Sequence, residues 1–121
     1  MIFNDKKHEM LYSELCSRMK YLDCYHRSVA YLLALDNVVR EHISDVFDFQ
    51  EDIIIRSAFR HGWQTGTSRC TVSLMFNLWN GYTGESPEDA NGFTVDSIFS
   101  GSYSYAPFYW QAIKLRYELP E

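Results

Sequence analysis

The most promising site for chemistry is a basic segment, residues 56–69, that contains no acidic side chain. It ends where a helix is predicted to begin, and the free N–H groups and dipole of a helix N-terminus favour negative charge. Hydroxyl groups and arginines in the same segment would complete a site for a phosphate, a nucleotide or a partner's carboxylate. The candidate binding residues are Arg56, Arg60, Trp63, Thr65, Thr67, Ser68 and Arg69.

The same segment also has a purely structural interpretation. Thr67 or Ser68 would then only cap the following helix, and the arginines would pair with carboxylates in the preceding stretch. That stretch, residues 36–55, holds six acidic residues and one basic residue. The carboxylates nearest in sequence are those of Asp48, Glu51 and Asp52. Since the Gly-Lys-[Ser/Thr] of a P-loop is absent, the pattern alone does not decide between the two interpretations.

Metal-binding and catalytic patterns have less support. The chain has four histidines and three cysteines, but no pair has the spacing of a known zinc site. No Gly-x-Ser-x-Gly motif and no catalytic signature around a cysteine is present. A pair formed by Cys24 or Cys70 with a distant histidine stays open, because it requires only proximity in space. We therefore predict no metal, no cofactor and no catalytic residue from local motifs.

Aromatic residues are concentrated near the end of the chain, with eight among residues 93–117. On the last predicted helix, apolar side chains cover more than one face, so either this helix is central or another chain covers one face. Tyr and Trp are typical interface anchors, because they bury a large area and keep a polar tip. The candidate interface residues are Tyr103, Tyr105, Tyr109 and Trp110. Residues 81–113 contain four acids and no Lys or Arg, so a partner docking there would be basic.

The elements that must position these residues are mostly helical. Hydrophobic periodicity predicts a mainly α, compact bundle of five or six helices with at most a small β element, at residues 53–55. The first helix would follow Asn4 and cover about residues 5–21, whereas Asp23 and Asp36 would cap the second and third. The second helix, apolar on most sides, is the candidate for the most buried element. Later helices would cover about residues 68–80, 94–99 and 107–117, with Gly81 ending the first of these.

The composition is that of one folded domain spanning residues 1–121. The net charge is −5, which argues against a protein that coats nucleic-acid phosphates. The longest apolar run, residues 29–35, is too short to span a bilayer. No apolar secretory signal begins the chain, and the cysteines lack the spacing of a disulfide framework, so we expect a cytoplasmic protein.

Several blocks of the sequence resemble a known group of proteins. The blocks are Phe3-Asn-Asp-Lys-Lys-His-Glu9, Asp23-Cys-Tyr-His26, Trp63-Gln-Thr-Gly-Thr-Ser-Arg69, Phe76-Asn-Leu-Trp-Asn-Gly-Tyr82 and Tyr105-Ala-Pro-Phe-Tyr-Trp-Gln-Ala-Ile-Lys-Leu-Arg-Tyr117. Together they resemble an uncharacterised family of small proteins encoded on phages, plasmids and conjugative elements of Gram-positive bacteria. That family has no established activity, so no residue inherits a role. The resemblance implies only that the chain could be an accessory factor of a mobile element, such as an inhibitor of host defence.

Three functions remain open at this stage. The first is a small non-enzymatic protein-binding accessory protein, either self-associating or docking on a larger host or phage protein, for example as an anti-CRISPR-type inhibitor. The second is a small-ligand or nucleotide binder that uses residues 56–69. The third is an enzyme whose site is assembled from scattered residues. Direct nucleic-acid binding ranks last, because the charge balance is acidic and no helix-turn-helix pair is evident.

Overall fold

The computed structural model describes residues 1–121, and most of the chain is α-helical. The seven α-helices are α1 (Lys6–Arg18), α2 (Cys24–Leu35), α3 (Asn37–Arg40), α4 (Ile43–Val46), α5 (Gly66–Asn80), α6 (Val95–Ser100) and α7 (Ala106–Tyr117). Two short antiparallel strands, β1 (Phe47–Asp48) and β2 (Ile53–Ile54), form the only sheet. Turns of 3-10 helix cover Arg56–Arg60, Asp89–Phe93 and Tyr103–Tyr105. The prediction of a mainly α fold with a small β element is confirmed.

Helix α2 is the centre of the fold, as its apolar sequence predicted. Nine of its twelve residues are buried, and residues 29–35 have no solvent exposure at all. It packs against α1, α5 and α7, and one connected core of 21 buried apolar residues extends from it. A helix that is apolar on all sides must be enclosed on all sides, which explains why three helices surround this one. None of the seven helices has the length and apolar character needed to cross a bilayer.

Aspartate side chains begin the first three helices. Asp5, rather than the expected Asn4, caps α1 by accepting the N–H of His8 at 2.7 Å. Asp23 and Asp36 cap α2 and α3 as predicted. The number of helices differs from the predicted five or six, because the expected third helix is interrupted. The backbone of His42 (φ −134°, ψ 30°) is not helical, so α3 ends at Arg40 and α4 begins at Ile43.

A buried polar network closes the N-terminal side of the core. His8 is fully buried, and its Nδ1 accepts the N–H of Asn4 at 3.0 Å while its Nε2 donates to the carbonyl of Tyr31 at 2.9 Å. The Tyr31 hydroxyl donates to the carbonyl of Ile2 at 2.7 Å, and the N–H of Ile2 donates to Gln111 Oε1 at 3.1 Å. One donor and one acceptor nitrogen are the pattern of a neutral imidazole. Burial, which disfavours the charged ring, lowers the pKa of His8 accordingly.

A second buried histidine joins α2 to the β-hairpin. His26 Nδ1 lies 2.6 Å from Asp23 Oδ1, and its Nε2 lies 2.8 Å from Asp52 Oδ1. Burial favours the neutral ring, but the hydrogen bonds to the two carboxylates outweigh it and raise the pKa of His26. Asp52 has a left-handed backbone (φ 59°), which is uncommon for a residue other than glycine. The ion pair is therefore one of the contacts that hold the hairpin turn against the helix.

Replacing His26 with glutamine should destabilise the protein most at mildly acidic pH. Because the native pKa is raised, the stabilisation by the charged ring is fully present below the unfolded pKa of about 6.5 and is lost as the pH rises through the native pKa. The free energy of unfolding, measured by urea denaturation, should therefore differ less between the wild type and His26→Gln as the pH increases from about 5 to 9. The pKa of His8 shifts in the opposite direction, but His8 is present in both proteins, so its contribution cancels in the difference between their unfolding free energies.

The control for this measurement is His61→Gln, because His61 lies outside both buried polar networks. Its effect on the unfolding free energy should be small at every pH. If His26→Gln lowers the free energy of unfolding by the same amount at every pH, the role given to the charged ring is contradicted.

Candidate functional site

One cleft brings together the arginines of the basic segment; we call it the arginine cleft. It lies between the 3-10 turn Arg56–Arg60, the first half of α5, and residues 82–97, and it encloses about 490 Å³. Its lining contains Arg56, Arg60 and Arg69 together with acidic and aromatic side chains. The volume falls within the range of roughly 300–1,000 Å³ that is usual for small-molecule sites.

The three arginines of the cleft form no ion pair within the protein. No carboxylate oxygen lies within 4.0 Å of their guanidinium nitrogens. Arg69 is positioned by the backbone, since its Nη2 donates to the carbonyl of Phe59 at 3.0 Å. The guanidinium of Arg56 lies 5.6 Å from the centre of the Tyr82 ring. The arginine cleft therefore presents three exposed positive charges that have hydrogen-bond donors to spare.

None of the three carboxylates expected to neutralise these arginines does so, and two of them are engaged elsewhere. Asp52 binds His26, as described above. Asp48 Oδ1 accepts the N–H groups of Gln50 and Glu51, each at 3.0 Å, and so forms the hairpin turn. Glu51 is exposed and makes no ion pair. The expected pairing of the arginines with this acidic stretch is therefore not formed.

The hydroxyl groups before α5 do not line the cleft. Thr65 Oγ1 accepts the N–H of Ser68 at 3.0 Å, and Ser68 Oγ accepts the N–H of Thr65 at 2.8 Å, which is a complete capping box. Ser68 is buried, and the carbonyl of Thr67 accepts the Thr71 hydroxyl at 3.3 Å. The structure thus places Thr65 and Ser68 as capping residues, whereas their proposed contact with an anion has no geometric support.

Trp63 is also separate from the arginine cleft. Its ring stacks on His42 with centroids 4.3 Å apart and planes 2° apart, and His61 lies 6.1 Å away on a nearly parallel plane. Its Nε1 donates to Asp45 Oδ2 at 3.1 Å. Because histidine rings and a carboxylate already occupy its surface, Trp63 holds the 61–65 loop in place and offers no ring to a ligand in the cleft.

The rest of the cleft lining comes from a loop to which the sequence assigned only acidic character. Glu85 Oε1 accepts the Tyr82 hydroxyl at 2.9 Å, and Asp89 Oδ2 accepts the N–H of Glu85 at 2.9 Å. Burial, followed by this bond to Glu85, raises the pKa of Tyr82, which stays a neutral phenol. Gly84 has φ 98°, and a Cβ there would lie 2.2 Å from Asp89 Cβ, so only glycine fits this tight loop. No local pattern brings this loop to residues 56–69, since the contact is formed by tertiary packing.

The four candidate interface residues lie in different environments. Tyr109 has 0% exposure and its hydroxyl lies 2.8 Å from Thr71 Oγ1, so it is a core residue and not a surface anchor. Tyr105 is half-buried against it. Tyr103 is 79% exposed and Trp110 is 50% exposed. Helix α7 packs one apolar face into the core and leaves another face uncovered. Of the four candidate residues, only Tyr103 and Trp110 are largely exposed.

Comparison with known proteins yields one match. The model of a family described as "Family of unknown function (DUF6075)" matches residues 1–120. No curated protein and no solved structure matches the chain.

Replacing Gly101 with alanine should destabilise the floor of the cleft. A Cβ at this position would lie 2.6 Å from Sγ of Cys70, a cleft residue, and 2.9 Å from the carbonyl oxygen of Ser97. Overpacking of this kind costs about 1–3 kcal/mol, which urea denaturation would detect. Gly92→Ala is the matched control, since Gly92 also lines the cleft and its added Cβ would meet nothing within 4 Å. Equal stability of the two variants would contradict the close packing of α6 on α5.

Proposed function

Because the chain belongs to the DUF6075 family, whose function is unknown, we propose a function from its own geometry: it binds a small anionic ligand in the arginine cleft. The observation that carries this proposal is the convergence of Arg56, Arg60 and Arg69 on one cleft with no carboxylate at ion-pair distance. Arginine presents a planar set of donors that matches carboxylate and phosphate oxygens two at a time. Three such groups around one cavity suit an anion better than any neutral ligand.

The distribution of charge over the chain supports the same conclusion. The protein is acidic overall, with a net charge of −5, so its net charge does not favour the approach of anions. The arginine cleft concentrates three of the eleven Lys and Arg residues in one concave place. An anion attracted to this protein would therefore be directed to the cleft.

We propose a binding role and not a catalytic one. Cys70 is the nucleophilic side chain best placed in the cleft, but burial raises the pKa of its thiol and so disfavours the reactive thiolate. Its only hydrogen bond is a long one, 3.8 Å, to the carbonyl of Ser97, and no histidine lines the cleft to act as a base.

Replacing Arg60 with glutamine should weaken binding of inorganic phosphate, measured by isothermal titration calorimetry at low ionic strength. We expect a loss of about five- to tenfold, because one charge-assisted set of donors is removed from an exposed site. Arg18→Gln is the matched control, because Arg18 is exposed like Arg60 but lies outside the cleft. Equal affinities for wild type, Arg60→Gln and Arg18→Gln would refute an anion site here.

A second candidate function is docking on a basic partner protein through the end of the chain. The specific observation is that Tyr103, Trp110 and Tyr117 recur every seven residues and are 79%, 50% and 55% exposed. Within α7 this spacing places Trp110 and Tyr117 two turns apart on one face. Residues 81–113 contain no Lys or Arg, and Lys114, which lies between Trp110 and Tyr117 on this face, is paired with Glu121 at 3.2 Å, so a basic partner is the complementary one. An accessory role on a mobile element, such as inhibition of a host defence protein, is the form of this proposal that the resemblance of the sequence blocks implies.

Replacing Tyr103 and Trp110 together with alanine tests this second function. Association with a partner, or self-association measured by sedimentation velocity, should be lost, while the thermal midpoint of unfolding should change little because both side chains are largely exposed. Tyr21→Ala is the control, since Tyr21 is 62% exposed and lies on the loop before α2. Association that survives the double substitution would exclude this surface.

A further inference from the structure

The lining of the arginine cleft contains a serine hydroxyl that makes no hydrogen bond within the protein and stays open to the cleft. Ser73 lies in the middle of α5, is only 5% exposed and lines the cleft. A serine inside a helix can bond back to the carbonyl one turn earlier, but Ser73 forms no such bond. Since Arg69 and Ser73 are four residues apart, they lie on the same face of α5. A ligand that reaches the bottom of the cleft would therefore meet a free hydroxyl below the arginine.

One wall of the cleft is a rigid set of aromatic rings. Phe59, Tyr82 and Phe93 line the cleft, and Phe76 lies behind them in the core. The four rings form a closed cycle of edge-to-face contacts, with centroid distances of 5.3 Å for Phe59–Phe76, 5.9 Å for Phe76–Tyr82, 5.7 Å for Tyr82–Phe93 and 5.6 Å for Phe93–Phe59. Each ring fixes its neighbours, so the apolar wall is formed before any ligand arrives. A simple inorganic anion would make no use of this wall.

The charges in the cleft limit how highly charged the ligand can be. The three arginines face the carboxylates of Glu85 and Asp89, so the lining carries one net positive charge. That charge matches an anion of one or two negative charges better than a triphosphate. The two carboxylates also supply acceptors for the hydroxyl or amino groups of a ligand.

From these three features we infer that the ligand is a nucleoside monophosphate, an inference that rests on the proposed anion-binding function. The phosphate lies between the arginines, and the base lies against the wall formed by Phe59, Tyr82 and Phe93. Base stacking on aromatic side chains tolerates any base, because every base has a flat π-face. The inference therefore names the class of ligand. Which base binds best depends on the hydrogen bonds that the base forms.

Calorimetric titration of the full chain with inorganic phosphate, the four ribonucleosides, their 5′-monophosphates and ATP tests the inference. At least one monophosphate should bind about tenfold or more tightly than both inorganic phosphate and its own nucleoside, which is the gain from filling both parts of the cleft. ATP should bind no more tightly than AMP. Phe93→Leu should lower the affinity for the tightest-binding monophosphate about fivefold or more and leave the affinity for inorganic phosphate unchanged.

Phe49→Leu is the matched control, because Phe49 is a half-buried ring that lies outside the cleft. If phosphate binds as tightly as every monophosphate, or if Phe93→Leu and Phe49→Leu behave alike, the assignment of a nucleotide is overturned while the anion site stands. If the nucleosides bind as tightly as their monophosphates, the anion site is refuted as well. If none of these compounds binds, both proposals fail.

Discussion

The enclosure of helix α2 is the constraint on which the rest of the structure depends. A helix whose last seven residues are fully buried has no water to satisfy the carbonyl groups of its last turn, so other residues must do so. Arg40 meets this need by donating from Nε to the carbonyl of Ala34 at 2.6 Å and from Nη2 to that of Leu35 at 3.3 Å. The same guanidinium reaches Asp5 at 3.1 Å and thereby joins the start of α1 to the end of α2. The position of α1 and the direction of the chain after α2 both follow from this bonding.

The same constraint shapes the arginine cleft. Helix α5 must cover one side of α2, and it does so with Val72, Met75 and Phe76, all fully buried. The helical repeat places Arg69 and Ser73 beside this buried face of α5, where they line the cleft. The cleft thus borders the face of α5 that the core requires. Its location follows from packing, and only its chemistry depends on which residues occupy the lining positions.

Much of the fold was predictable from sequence, because helix signals are local. The caps Asp23 and Asp36, the end of α5 at Gly81 in a left-handed conformation, and the start of α6 after Thr94 were all read from neighbouring residues. The candidate site was predictable only in part, since it depends on contacts between distant segments. Two such contacts were invisible: Asp52 binds His26 and so leaves the arginines unpaired, and the 82–97 segment closes the cleft from the far side. Tyr109 was misplaced for a related reason, because α7 is apolar on several faces and only tertiary packing selects the buried one.

The rigid rings and the exposed arginines of the cleft contribute to binding in different ways. An arginine side chain that becomes ordered loses about 1.5–2 kcal/mol of conformational free energy, so Arg56 and Arg60, which form no hydrogen bonds before binding, must first offset that loss. Arg69 is already held by the carbonyl of Phe59 and loses less. The aromatic wall is fixed by its own contacts and loses almost no conformational free energy on binding. The free energy gained by covering its apolar surface therefore contributes almost entirely to affinity. In the proposed complex, charge therefore draws the ligand to this cleft and orients it, whereas the preformed wall sets how slowly the ligand dissociates.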